Sequence, residues 1–245
     1  MEASNIRRGV WGDSACPPNL FMNPNGRALV IGASGGIGAA LAAALGADPH
    51  YEVIALSRSS TPAIDLTDEA SIAAAADWVG GPLHLIINAV GALHIDGRAP
   101  EKRLAELSAT KLAAAFAINA IGPALVLKHF SPLLARDERA VFATLSARVG
   151  SIGDNGLGGW YGYRASKAAL NQFVRTAAIE IARTRPHALV LCLHPGTVKT
   201  RLSAPITGGS RGSDPALAAA QILTVIGQAQ HSGVFLDQTG AMVPW

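Results

Sequence analysis

The chain has 245 residues, enough for one α/β domain with a large core or for two small domains. Hydrophobic residues make up 49% and charged residues 15%, which excludes a disordered polyelectrolyte and indicates much buried helix and sheet. A net charge of +3, from 20 basic and 17 acidic side chains without a run of Lys or Arg, gives no footprint for nucleic acid.

The first 26 residues have no periodicity and are rich in Asn, Pro and Gly, so 1–26 reads as an N-terminal extension, partly disordered. Arg7-Arg8 is followed by no apolar segment, which argues against an export signal. The stretch 28–47 carries no charge and is long enough to cross a membrane. Its clustered glycines instead indicate strand, tight turn and helix, and no membrane partner is expected. Beyond it, apolar runs at 28–31, 53–56, 83–88, 141–145, 189–193 and 234–236 read as strands buried on both faces. Helical patterns lie between them near 37–46, 68–78, 103–135, 163–184 and 214–228, with Pro123 expected to kink or divide the third. The alternation predicts a single domain over 27–245, an α/β doubly wound Rossmann fold with one mostly parallel sheet and helices on both faces.

Cys16 and Cys192 form no disulfide framework, and neither they nor the seven scattered His show metal-ligand spacing. Cys192 sits in the apolar run 189–193 and reads as a buried thiol, a usage that fits a reducing cytoplasm.

Gly32-Ala33-Ser34-Gly35-Gly36-Ile37-Gly38 follows the first strand directly and opens a helix. Glycines permit a sharp bend and a close backbone approach, and the helix N-terminus offers free N–H groups to a diphosphate. Gly32, Ser34, Gly35, Gly36, Ile37 and Gly38 are therefore candidate dinucleotide contacts. After the second strand comes Leu56-Ser57-Arg58, where NAD enzymes place an acid for the ribose 2′-hydroxyl. Ser57 and Arg58 suit a 2′-phosphate instead, which favours NADP(H) over NAD(H).

Tyr163 and Lys167 are four apart, on one face of a predicted helix. An ammonium beside a phenol lowers its pKa and makes it a usable general acid or base. Tyr161 has no lysine in that relation.

With these motifs in order, the chain resembles the short-chain dehydrogenase/reductase family over about 27–245, and within it the C-factor and Sniffer-like carbonyl reductase group. The resemblance to that group rests on 145–152, on 158–164, on Phe235-Leu236-Asp237 and on Pro244-Trp245. It implies that Tyr163 and Lys167 also contact the cofactor, and that Asp65, with Leu66, touches the adenine ring. Asn88-Ala89-Val90-Gly91 resembles the family's Asn-Asn-Ala-Gly, with Ala89 in the second Asn position. Asn119 resembles the helix Asn that holds a water in the proton relay, and Pro195, Gly196, Thr197 and Thr200 resemble the segment beside the nicotinamide.

The family's serine stands three residues before a glycine, a place taken here by Ala147 ahead of Gly150. Ser146, at the end of its strand, is the candidate, with Ser151 as the alternative. The implied reaction is hydride transfer between NADP(H) and a small carbonyl or alcohol substrate, with no metal. Leu93, His94, Leu157, Trp160, Leu202 and Ile206 are candidate pocket walls, His94 being equally a solvated loop residue. The resemblance implies a homodimer or homotetramer through the two longest helices. It also leaves open a signalling protein or a redox-inert NADP sensor.

Overall fold

The computed structural model describes residues 26–95 and 97–245. The predicted extension lies outside the described residues except for Gly26, which opens the first strand rather than closing the extension. Among the described residues one parallel sheet forms from β1 (Gly26–Ile31), β2 (Tyr51–Leu56), β3 (Leu85–Asn88), β4 (Ala140–Leu145), β5 (Ala188–His194) and β6 (Val234–Asp237). Their order across the sheet is β2-β1-β3-β4-β5-β6, every pair parallel. The helices are α1 (Gly36–Gly46), α2 (Glu69–Val79), α3 (Ala109–Phe116), α4 (Gly122–Phe130), α5 (Tyr161–Ile181), α6 (Ala204–Thr207) and α7 (Pro215–Gln228).

The strands read as unbroken apolar runs because both faces are covered. Successive side chains point to opposite faces. Leu29 and Ile31 of β1 therefore enter one core with Phe130, Phe142 and Phe235, while Ala28 and Val30 enter a second with Leu41, Ile222 and Leu223. The first core lies under α2, α4 and α5, the second under α1 and α7. The charge-free stretch 28–47 is thus divided between β1, a turn and α1.

Pro123 stands in the first turn of α4, directly after the π turn that parts it from α3. The rod runs from Ala109 to Leu133 because Ala117–Ile121 forms a π turn, in which the Gly122 N–H donates five residues back to Ala117 O. The hydrogen-bond ladder has already shifted there, so the donor that Pro123 lacks falls in the first turn of α4. By length and composition this rod is apolar enough to cross a membrane, yet Ala115, Asn119, Val126 and Phe130 are buried inside the protein.

The strand order reverses at β1, which lies between β2 and β3. A doubly wound sheet opens a crevice at such a switch point, beyond the carboxyl ends of the strands. The turn 32–38 and the segment 89–92 leave β1 and β3 at that edge. One face of the crevice depends on Gly122, where a Cβ would lie 2.4 Å from Leu66 O and 2.8 Å from Leu66 Cβ. Gly122→Val is expected to lower the free energy of urea unfolding by about 3 kcal/mol, the upper range for an overpacked core.

Candidate active site

The glycines after β1 answer to specific contacts. Gly32 has φ +89°, and a Cβ there would stand 3.0 Å from Val90 Cγ2. The Gly35 N–H donates to Gly32 O at 2.9 Å. A Cβ at Gly38 would lie 2.1 Å from that same carbonyl oxygen, so α1 begins hard against the turn only with glycine here. A Cβ at Gly36 would meet Thr200 Cγ2 at 2.7 Å, so the segment after β5 packs onto the start of α1. Gly35 caps α1 without a side-chain hydrogen bond, and no acidic residue stands in the first turn. These uncapped N–H groups and the bare backbone fit a diphosphate.

Two adjoining cavities meet at Ala89, Val90 and Gly91. The first, of about 290 Å³, is lined by Gly32, Ser34, Gly35, Ser57, Arg58, Asp65, Leu66 and Thr67, with Ile118 from the π turn. Asp65 Oδ1 accepts from the Thr67 N–H at 2.9 Å and the Thr67 hydroxyl at 2.7 Å, which hold its carboxyl below the usual range. Ser60 ties down the Ser57 loop, accepting from the Ser57 N–H at 2.8 Å and donating to Pro62 O at 2.7 Å. Asn88 lies beneath the cavity, fully buried, its Oδ1 accepting from the Val90 N–H at 3.1 Å. Gly36 and Gly38 serve the packing of the turn rather than the cavity wall.

The second cavity, of about 250 Å³, has Tyr163 and Lys167 on its wall with Ile37, Pro195, Gly196, Thr197 and Thr200. Gly150 lets α5 approach, since a Cβ there would stand 2.7 Å from Lys167 Cβ. Gly91 clears space for the ammonium, whose Nζ would lie 3.2 Å from an added Cβ. Lys167 Nζ donates to Leu145 O at 3.0 Å. Burial pushes the Tyr163 hydroxyl up to about 12 and the Lys167 ammonium down to about 8. The expected lowering of the tyrosine by the lysine is therefore not what this structure shows: desolvation dominates, and the ammonium is turned to a carbonyl. Tyr163 is consequently a protonated phenol at neutral pH.

Ser146 lines the cleft, but its hydroxyl donates to Asn171 Oδ1 at 2.6 Å. Asn171 stands one turn beyond Lys167 on α5. Ser151 Oγ is buried and accepts from the Asp154 N–H at 3.1 Å, and its side chain is not on the cleft wall. Ala147 is on that wall.

Asn119 is fully buried in the π turn and is clamped to Ala92 by two bonds of 2.8 Å, Nδ2 to O and N–H to Oδ1. It borders a separate small cavity together with Tyr163. The start of α5 is held from a distance: Glu101, 6% exposed, accepts from the Gly162 N–H at 3.1 Å through Oε2. Trp160, at φ +54° in the left-handed region, meets the Tyr163 ring edge-on with centroids 6.3 Å apart. Of the predicted pocket walls, Leu93, Trp160 and Leu202 line the cleft. Leu157 does not; it is 94% exposed on the loop before α5. His94 is half-buried off the cleft wall, and the side chain of Ile206 lies outside the described residues. Arg148 and Val149 line it as well, and so does His194, which was not anticipated there.

A sequence-family model described as Enoyl-(Acyl carrier protein) reductase matches residues 37–233. C-signal from Myxococcus xanthus is 35% identical over 169 residues, which is 67% of this chain and 94% of that protein. The 1-hydroxy-2-glutathionyl-2-methyl-3-butene dehydrogenase of Rhodococcus sp. is 30% identical over 189 residues, 75% and 79% of the two chains. The NADPH-bound carbonyl reductase from chicken fatty liver superposes with a TM-score of 0.76 at 25% identity, covering 91% of this chain and all of the other. Fold, cradle and cleft together define an oxidoreductase that transfers hydride between a nicotinamide cofactor and a small carbonyl or alcohol. The chain belongs to the short-chain dehydrogenase/reductase family.

Burial of Lys167 has a consequence for stability. In the unfolded chain it titrates near its ordinary 10.5, in the fold near 8, so between these values the unfolded state binds more protons and stability rises with pH. Unfolding wild type and Lys167→Met in urea at about pH 7 and pH 9.5 is expected to show a relative gain for wild type of about 2 kcal/mol at the higher pH. An unchanged difference means that the lysine is not desolvated in the fold.

Proposed function

We propose that this protein is an NADPH-dependent carbonyl reductase acting on a small ketone or aldehyde. The observation that carries the reading is Tyr163, a buried and protonated phenol one helical turn from Lys167, on a cleft that adjoins the glycine cradle. The preference for NADPH is supported by Ser57 and Arg58 on the wall of the first cavity, where a carboxylate would repel a 2′-phosphate.

When bound, the cofactor supplies the hydride. Tyr163 donates its proton to the carbonyl oxygen as charge develops there. Lys167 holds the nicotinamide ribose with its ammonium, which Gly91 leaves room for. Asn119 fixes Ala92 and so the segment 89–92 that both cavities share. Val90, Leu93, Val149 and Trp160 give the cleft an apolar wall.

NADPH oxidation followed at 340 nm against a panel of ketones, aldehydes and diones tests this. Tyr163→Phe is expected to lower kcat by at least 100-fold while NADPH binding persists. Arg58→Glu is expected to shift the NADPH-to-NADH ratio of kcat/KM by at least tenfold towards NADH, the weight of one charge-assisted bond. The identity to C-signal favours a second reading, a signalling protein that binds nucleotide. Tight NADPH binding without turnover in wild type selects that reading.

A further inference from the structure

Most polar groups on the cleft wall are already committed. The Ser146 hydroxyl donates to Asn171, Lys167 to Leu145 O, and Ser203 Oγ to Val198 O. Arg148 pairs with Asp154 at 2.6 Å and Asp237 at 3.8 Å. Thr200 packs on Gly36 at the cofactor cradle. Ala147 contributes a methyl group. His194 differs: it lines the cleft with Tyr163, and its Nδ1 is sealed from solvent with no hydrogen-bond partner.

That leaves Nε2 as the ring nitrogen a substrate can reach. The backbone of His194 is fixed by the sheet, where it ends β5 opposite Asp237 of β6. Gly196, at φ +75° with an added Cβ only 3.3 Å from Gln238 Cδ, turns the chain sharply two residues later. The ring is therefore presented from a rigid strand end, on the cleft wall that also carries Tyr163.

We propose that His194 is a substrate-contacting residue whose Nε2–H is the second hydrogen-bond donor, with the Tyr163 hydroxyl, to the oxygen of the carbonyl being reduced. This rests on the carbonyl-reductase reading above. Burial, reinforced by the Arg148 guanidinium, holds the imidazole down to about 4, so it is neutral at physiological pH and keeps one N–H to donate. Such a donor gains strength as negative charge builds on the oxygen, and so acts on the transition state more than on substrate binding. It fills the place that a hydroxyl at Ala147 would otherwise take.

The test is steady-state kinetics on the carbonyl that wild type reduces fastest. His194→Phe is expected to lower kcat by about 100-fold with the KM for NADPH unchanged. His194→Gln, which keeps an N–H donor, stays within about tenfold of wild type, and adding Ala147→Ser to His194→Phe recovers at least about tenfold. His194→Phe within twofold of wild type, with Tyr163→Phe inactive, overturns this proposal and leaves the carbonyl reductase standing. A loss in His194→Phe that neither Gln nor Ala147→Ser recovers, together with a lowered Tm, assigns His194 to packing and also overturns it. Wild type inert towards every carbonyl overturns the proposal and the function together.

Discussion

Everything at the functional edge of this protein depends on one backbone approach, that of α1 to the turn leaving β1. The oxygen of Gly32 sits where any side chain at Gly38 would collide with it, and the same oxygen accepts from the Gly35 N–H. This contact sets the helix axis against the sheet. It also brings Val90 from beyond β3 and Thr200 from beyond β5 onto the same few glycines. Three strand exits are thereby drawn to one point, with open N–H groups at its centre.

Dehydration governs the chemistry of the adjoining cleft. An exposed Tyr–Lys pair would trade charge through space, but here both are removed from water and each is driven towards its neutral form. Cys192 is buried behind them on β5 and is driven up by the same cause. A phenol in its acid form suits delivery of a proton to a nascent alkoxide. The cost is a lysine that must hold its charge in an apolar wall with one carbonyl to receive it.

Which parts of this were readable in the sequence follows from the range of the interactions. Strands such as 141–145 and 189–193 announce themselves because both faces must be apolar, and the glycine turn because each glycine answers a local steric demand. Arg58 and Ser57 fall at a strand end whose position the pattern already implies. Contacts set by distant partners left no such trace. The commitment of Ser146 to Asn171 is a matter of side-chain direction over 25 residues of separation. Glu101 reaches Gly162 across 61. Leu157 looks like a pocket wall by residue type, yet it is carried outward on the loop before α5. Pro123 marks the place where the rod changes, but one-dimensional pattern carries no notice of the π turn before it, whose signature is a carbonyl paired five residues on.

That π turn amounts to one surplus residue lodged in a helical rod, and a residue is worth about 100° of rotation about the axis. The rod is therefore two differently clocked surfaces on a single shaft. Its first half packs on α5, while its second half packs on both α2 and α5. Asn119 stands at the offset itself, where the shaft changes phase. A chain that lost the surplus residue would keep a longer, more regular helix, but could not aim both halves at once.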